Sequence, residues 1–122
     1  MKKVLFIEDE SALQRAMSEA LEVHGYEVFL ANDGEIGIRM AHDKKPDVVL
    51  LDLILPRKNG FEVLTELKKD PETNPIPVII LTNLEGTEEV QKAIELGAKT
   101  FLIKANYGLN EIIKRIEESL TE

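Results

Sequence analysis

The sequence predicts an α/β fold in which a five-stranded parallel sheet is doubly wound by five helices. Apolar runs of four to six residues alternate with stretches of helical periodicity along the 122-residue chain. This alternation is typical of repeated βα units. No linker or low-complexity tract interrupts the pattern, so we expect one domain over residues 1–122.

The strands are predicted from apolar runs at 3–7, 26–31, 47–52, 77–82 and 99–104. The third and fourth runs are almost entirely apolar, as expected for central strands that are covered on both faces. The second run is more mixed and suits an edge of the sheet. Right-handed crossovers then favour the strand order 2-1-3-4-5, which places the first strand beside the third.

The helices are predicted from helical periodicity at 11–24, 34–44, 60–69, 86–96 and 108–120. In the first and last helices the apolar face consists of Leu13, Ala16, Met17, Ala20 and Leu21, and of Leu109, Ile112, Ile113, Ile116 and Leu120, respectively. Gly25 and Gly97 stand where a left-handed residue would end a helix, and Pro46 and Pro71 stop two others. Thr87, followed by two glutamates, is expected to cap the fourth helix.

Composition excludes several classes of function. The chain contains no cysteine, so it has no disulfide, thiolate metal site or cysteine nucleophile. Its formal net charge of −8 disfavours direct contact with nucleic acid, because clustered lysine and arginine bind phosphate backbones. The apolar runs are far shorter than the roughly 20 residues that span a bilayer, and the first is too short for a signal peptide. We therefore expect a cytoplasmic protein with no membrane contact.

Polar side chains stand at the carboxyl ends of four of the predicted strands, either as the last residue of the strand or directly after it. They are Glu8 and Asp9, Asp52, Thr82 and Lys104. Because the carboxyl ends of parallel strands share one edge of a sheet, we expect these side chains to meet in one crevice. Neighbouring carboxylates repel unless they share a proton or a cation, and Mg²⁺ prefers oxygen ligands. With a lysine as second positive charge, this set would attract a phosphoryl group.

Taken singly, most of these residues have an ordinary structural explanation. A carboxylate after a strand, such as Glu8 or Asp9, commonly caps a helix, and Lys104 could extend to solvent. Thr82 is a normal strand residue. Asp52 differs because apolar residues precede and follow it, and burying an unpaired charge is costly. It is the joint occurrence of the five that favours a site.

These residues, together with the segment 52–60 (DLILPRKNG), resemble the receiver domain of bacterial response regulators, which act in two-component signalling. The resemblance covers essentially the whole chain and implies a flavodoxin-like fold. It also implies a signalling module rather than a turnover enzyme, one that catalyses its own phosphorylation and a slow dephosphorylation. Its partners would be a sensor histidine kinase or phosphotransfer protein and a downstream protein target. The module would be a monomer or an activation-dependent dimer.

The resemblance assigns a role to the charged residues of the set. Asp52 would be the nucleophile that becomes an aspartyl phosphate. Mg²⁺ would be bound by Asp9, by Asp52 and by the backbone carbonyl of Ile54. Glu8 would contribute to the metal site more peripherally, and Lys104 would pair with the bound phosphoryl group.

A conformational switch is implied as well. Thr82 would hydrogen-bond the phosphoryl group and move toward it. Phe101, three residues before Lys104, would then turn into the space that opens behind the threonine. The surface formed by the fourth helix, fifth strand and fifth helix would change shape, which is the two-state element that such a switch requires.

Three features depart from the usual pattern of the family. Ala105 follows Lys104 where the family usually has a proline after a cis bond, so we expect either a trans bond with a rearranged loop or a strained cis bond. Ile54 and Leu84 stand two residues beyond the nucleophile and the threonine. Neither can orient a hydrolytic water, which predicts slow self-dephosphorylation. Asn83 stands where the family commonly has a small alanine or glycine, and it could narrow access to the phosphoryl site or hydrogen-bond a loop.

Other functions have less support in the residues. A phosphatase of the haloacid-dehalogenase type needs a second aspartate where this chain has Ile54. An FMN carrier needs a phosphate loop rich in glycine and hydroxyl groups, whereas the first strand is followed by three acidic residues. A dinucleotide site would need the G-x-G-x-x-G motif, which the sequence lacks. The main alternative is a receiver-like scaffold that works through protein contacts without phosphorylation.

Overall fold

The computed structural model describes residues 1–121, which form five strands and five helices in alternation. The strands are β1 (Lys3–Ile7), β2 (Glu27–Ala31), β3 (Val48–Leu51), β4 (Val78–Thr82) and β5 (Thr100–Ile103). The helices are α1 (Ser11–Val23), α2 (Gly34–Lys44), α3 (Gly60–Lys69), α4 (Thr87–Glu95) and α5 (Leu109–Leu120). Every predicted strand and helix is confirmed, and each bound lies within one residue of the prediction.

The five strands form one parallel sheet in the order β2-β1-β3-β4-β5, as predicted. The register pairs Ile7 with Leu51 and Leu51 with Ile80. Thr82, the last residue of β4, pairs with Ile103, the last residue of β5. The residues that follow Ile7, Leu51, Thr82 and Ile103 therefore emerge together, and we call this side of the sheet the carboxyl edge.

Helices cover both faces of the sheet, which explains why its central strands are apolar throughout. On one face, α2, α3 and α4 contribute the buried side chains of Ala41, Val63, Leu64, Leu67 and Ala93. On the other face, α1 and α5 contribute Met17, Leu21, Ile112, Ile113 and Ile116. Fully burying one such leucine or isoleucine stabilises the fold by about 1.5–3 kcal/mol. No helix within residues 1–121 has the length and apolar character needed to cross a membrane.

The helix ends confirm most of the predicted boundary residues. Gly25 and Gly97 have φ values of 89° and 112°, in the left-handed region that favours glycine. The expectation for Thr87 is wrong, because the N-cap of α4 is Gly86 and no side-chain hydrogen bond caps that end. Thr87 is already the first helical residue, so its hydroxyl does not occupy the capping position. The two glutamates do lie in the first turn, where the helix dipole favours negative charge.

Candidate functional site

Three carboxylates meet at the carboxyl edge, where β1 and β3 end side by side. One oxygen from each of Glu8, Asp9 and Asp52 lies within 4.8 Å of the others. Glu8 and Asp52 are buried, with 0% and 4% of their surface exposed, whereas Asp9 is exposed. The strand order makes β1 and β3 neighbours, so the topology itself brings the acidic strand ends together. Carboxylates this close repel each other, and a nearby cation relieves the repulsion.

Lys104 brings an ammonium group into contact with two of these carboxylates. Its Nζ donates a hydrogen bond of 2.9 Å to Oδ2 of Asp52 and lies 2.7 Å from Oε1 of Glu8. The second contact is an ion pair between the ammonium and a buried carboxylate oxygen. The other oxygen of Glu8, Oε2, accepts from the backbone N–H of Glu10 at 3.0 Å.

Burial and ion pairing act in opposite directions on the pKa values in this network. Burial alone would lower the pKa of Lys104, but its contacts with Glu8 and Asp52 outweigh that effect and raise the pKa above 10.5. The lysine is therefore charged at neutral pH. Burial raises the pKa of Glu8 above 4.5, and the contacts with Lys104 and the Glu10 N–H offset this in part. A further cation beside Glu8 would favour its charged form.

Hydrogen bonds within the segment after β3 fix the position of the Asp52 carboxylate. The backbone N–H of Ile54 donates to Oδ1 of Asp52 at 3.1 Å, and the N–H of Gly60 donates to the carbonyl of Leu53 at 2.9 Å. A Cβ atom at position 60 would lie 2.4 Å from the carbonyl oxygen of Asp52, so glycine allows α3 to begin against the site. Ile54 is 55% exposed, which leaves an apolar group facing solvent close to Asp52.

The two predicted switch residues lie on the neighbouring strands β4 and β5. Thr82 is fully buried, and its hydroxyl accepts a hydrogen bond from the N–H of Leu84 at 3.3 Å. Phe101 is partly buried and packs against the core that α2, α3 and α4 cover. Asn83 is exposed beside the end of β4. The roles of Thr82 and Phe101 in a switch stay predictions.

The peptide bond after Lys104 is trans, as are the other peptide bonds of residues 1–121. The chain continues through a short 3₁₀ turn over Lys104–Asn106 before α5 begins. Of the two arrangements expected for a site without proline at Ala105, the trans bond is the one that this chain adopts.

Sequence reasoning missed two contacts of the site. One is the ion pair between Glu8 and Lys104, because β1 and β5 are separated in the sheet by β3 and β4 and the sequence gives no distance across them. The other involves Gln14 of α1, whose side-chain amide donates to the carbonyls of Glu8 and Ala31. A signal for Gln14 exists, since it stands three residues before the buried Met17, where a polar side chain needs a partner.

The three carboxylates form a donor set that fits a hard divalent cation. Glu8, Asp9 and Asp52 offer oxygen atoms alone, which are the ligands that Mg²⁺, Mn²⁺ and Ca²⁺ prefer. The backbone carbonyl of Ile54, expected as a further ligand, belongs to the same loop that holds Asp52. The acidic group at the carboxyl edge could therefore bind a metal ion.

Comparisons with known proteins agree with this interpretation. Residues 4–117 match the family described as the response regulator receiver domain. Protein PilH of Pseudomonas aeruginosa is 36% identical over 104 residues, which are 85% of this chain and 86% of PilH. Response regulator PleD of Caulobacter vibrioides is 38% identical over 102 residues, which are 84% of this chain. PleD is a longer protein, and the chain spans 22% of its length.

The structural similarity extends over the whole fold. The Mn²⁺-bound form of response regulator Rcp1 matches with a TM-score of 0.80 and 31% identity, over 97% of this chain and 91% of that chain. The span matched by the family contains the five residues that the sequence predicted to form the site, namely Glu8, Asp9, Asp52, Thr82 and Lys104. This chain therefore belongs to the response regulator receiver domain family, whose members act in two-component signalling.

Proposed function

We propose that this chain accepts a phosphoryl group on Asp52 in a Mg²⁺-dependent reaction and signals through the surface formed by α4, β5 and α5. One observation carries the proposal: the buried carboxylate of Asp52 contacts the ammonium of Lys104 at 2.9 Å and belongs to the same cluster as Glu8 and Asp9. The arrangement would supply a nucleophile, a positive charge and a donor set for a cation in one place. Membership of the receiver family supports the same role.

Phosphoryl transfer needs an oxygen nucleophile and groups that stabilise charge on the phosphoryl oxygens. An oxygen of Asp52 would form the new bond to phosphorus while the bond between phosphorus and the donor's leaving group breaks. Lys104, already paired with Asp52, would direct its charge to the transferred group. Mg²⁺ held by Asp9, Asp52 and the carbonyl of Ile54 would supply the further positive charge that the carboxylates and phosphoryl oxygens need. Glu8 would act more peripherally, by holding Lys104.

Thr82 would sense the phosphoryl group. Its hydroxyl accepts a hydrogen bond of 3.3 Å from the N–H of Leu84. This is long for such a bond, so replacing it with a hydrogen bond to the phosphoryl group would cost little free energy. Phe101, partly buried on the adjacent strand, would occupy the space behind the displaced threonine. The phosphoryl group would then shift the population toward a second arrangement of α4, β5 and α5.

The partners belong to the same proposal. A sensor histidine kinase or phosphotransfer protein would supply the phosphoryl group, and a downstream protein would recognise the altered surface. The net charge of −8 supports protein partners over direct contact with nucleic acid. We further propose that the chain acts as one receiver domain in the cytoplasm, without membrane contact, as a monomer or an activation-dependent dimer.

The test is phosphorylation with a small phosphodonor such as acetyl phosphate. The wild-type protein is expected to gain one phosphoryl group by intact-mass measurement when Mg²⁺ is present and none in EDTA. Asp52→Asn removes the nucleophile with little change of shape and should gain none under either condition. Asp43→Asn is the matched control, because Asp43 is an exposed residue of α2 far from the carboxyl edge and should leave the gain unchanged.

Failure of the wild-type protein to gain a phosphoryl group, and to respond to the phosphoryl mimic beryllofluoride, would sink the proposal. The scaffold that works through protein contacts alone would then be the better description. A gain in mass that persists in Asp52→Asn would place the acceptor elsewhere in the chain.

A further inference from the structure

Gln14 connects α1 to the ends of β1 and β2. Its side-chain Nε2 donates a short hydrogen bond to the carbonyl of Glu8 and a longer one, of 3.4 Å, to the carbonyl of Ala31. Its own backbone N–H donates to the carbonyl of Glu10 at 3.0 Å, which fixes Gln14 in the first turns of the helix. The amide therefore reaches from a rigid element to two strand ends.

The bonds of Gln14 act on the backbone that carries the acidic pair. The carbonyl of Glu8 belongs to the peptide group that joins Glu8 to Asp9, so holding this carbonyl sets the direction of the Asp9 backbone. The peptide group before Glu8 is held as well, because the N–H of Glu8 donates to the carbonyl of Ala31 at 2.9 Å. Both peptide groups around Glu8 are thus fixed, and Gln14 contributes to the second of them.

This restraint opposes a specific force. The carboxylates of Glu8, Asp9 and Asp52 lie close together and repel one another. Glu8 and Asp52 are buried and contact Lys104, whereas Asp9 is exposed, so the direction of its carboxylate depends on the orientation of its backbone. If the ligands must be brought into position each time a cation binds, the free energy of ordering them reduces the affinity.

We propose that Gln14 is a positioning residue that keeps the peptide between Glu8 and Asp9 in the orientation needed to bind a divalent cation. The inference rests on the proposed function, since it concerns the same metal site. It assigns to α1 a part in preparing the site that is separate from contact with the metal or the phosphoryl group. Groups that orient metal ligands in this indirect way commonly change metal affinity by about 10–100-fold when they are removed.

The test compares Gln14→Met with Gln91→Met. Methionine keeps the length and helix propensity of glutamine but cannot donate a hydrogen bond. Gln91 is the other glutamine of the sequence and is exposed on α4, so its replacement is a matched control. Mg²⁺ binding to the unphosphorylated proteins is measured by calorimetry. We expect a Kd about tenfold higher for Gln14→Met and an unchanged Kd for Gln91→Met.

Two further measurements separate positioning from general stability. Amide hydrogen exchange in EDTA is expected to be faster at Asp9 and Glu10 in Gln14→Met, while exchange in β4 stays as in the wild type. The phosphorylation rate should fall at limiting Mg²⁺ and return to the wild-type rate at saturating Mg²⁺. Gln14→Asn, which keeps the amide but is one methylene too short, is expected to behave like Gln14→Met.

A Gln14→Met protein that binds Mg²⁺ as tightly as the wild type would overturn the inference, whatever its stability. Unchanged exchange at Asp9 and Glu10 would overturn it as well, and this readout needs no metal. If instead the wild-type protein itself binds no Mg²⁺, the metal dependence of the proposed function is contradicted. The role of Gln14 in preparing a metal site is then contradicted as well. Binding by the wild type together with unaltered binding by Gln14→Met would contradict the role of Gln14 alone.

Discussion

Helices α3 and α4 follow the strands that end at Asp52 and Thr82, and they are attached to the molecule in different ways. α3 begins with a capping box, in which the side chains of Asn59 and Glu62 each accept a hydrogen bond from the other residue's N–H. α4 begins after Gly86, and no side-chain hydrogen bond caps that end. The helix after Asp52 is therefore fixed where it starts, and the helix after Thr82 is held more loosely.

Helix α3 is also packed more firmly against the core than α4. α3 buries three large side chains, those of Val63, Leu64 and Leu67, whereas within α4 the one fully buried residue is Ala93. The far end of α3 is fastened by Lys68, whose ammonium donates to the carbonyls of Asn74 at 2.9 Å and Ile76 at 2.7 Å. Helix α3 is therefore anchored in the core, whereas a movement of α4 would expose little buried apolar surface.

A surface contact joins the two helices. The ammonium of Lys92 on α4 lies 4.3 Å from the centre of the ring of Phe61 on α3. Such contacts contribute about 0.5–1 kcal/mol at exposed sites. The contrast teaches that this fold can hold the carboxylate of Asp52 firmly while allowing the neighbouring helix to move at low cost, which is what the proposed switch requires.

The largest expected effect tests the packing contrast directly. Leu64→Ala in α3 should lower the free energy of unfolding by about 2–5 kcal/mol, because it leaves a cavity at a fully buried position. Ile94→Ala in α4 should lower it by less than about 1 kcal/mol, because 47% of Ile94 is exposed. Urea denaturation of both variants measures the difference. Equal losses would show that α4 is as firmly packed as α3.

A second prediction concerns Ile54 and Leu84, which lie at the start of the two connections that lead to α3 and α4. Both are apolar and cannot orient a hydrolytic water, so the aspartyl phosphate should be long-lived. Ile54→Asn is expected to shorten its lifetime about tenfold, which corresponds to about 1.4 kcal/mol in the barrier to hydrolysis. Loss of phosphate is followed in Mg²⁺ without a phosphatase. Leu30→Asn, at a partly exposed position of β2, is the control, and a wild-type lifetime of seconds would contradict the prediction.

The third prediction compares the starts of the two helices. Asn59→Ala should cost about 1 kcal/mol of stability, because it removes the acceptor for the N–H of Glu62. Thr87→Ala should change stability by less than about 0.5 kcal/mol, because Thr87 makes no capping bond. Thermal or urea unfolding of the pair provides the measurement. A larger loss for Thr87→Ala would mean that α4 has a cap in solution that the structure lacks.

The smallest effect concerns Lys68 at the end of α3, whose contribution to the free energy of unfolding should depend on pH. Burial lowers the pKa of Lys68 below its usual 10.5 in the folded state. Between these two pKa values the unfolded chain binds more protons, so folding becomes more favourable as the pH rises toward 10.5. The stability of the wild type relative to Lys68→Met should therefore increase with pH in the alkaline range. A relative stability that stays constant or falls toward pH 10.5 would contradict this sign.

The sequence allowed the sheet to be predicted closely because periodicity and chain punctuation are local properties. Strands such as 77–82 are apolar at nearly every position, and Gly25 and Gly97 mark turns that other residues rarely adopt. The cap of α4 was predicted wrongly because Thr87 fits the composition of a cap, while the path of the preceding loop decides which residue occupies the capping position.

The site was predictable as a set of strand ends, but its internal contacts were not. Strand order alone brings Glu8, Asp9 and Asp52 together. The ion pair of Lys104 with Glu8 depends on the reach of a flexible side chain across two strands, and the bonds of Gln14 depend on the rotation of α1. Neither quantity follows from a pattern of residue types.

The most direct test of the proposed switch is the response of the backbone amides to beryllofluoride and Mg²⁺, followed by NMR. Chemical-shift changes are expected around Asp52 and Thr82 and along α4, with α3 beyond its first turn nearly unchanged, and they should vanish in Asp52→Asn. Shift changes that are confined to the strand ends, or that are as large along α3 as along α4, would contradict the claim that the loosely held helix carries the signal.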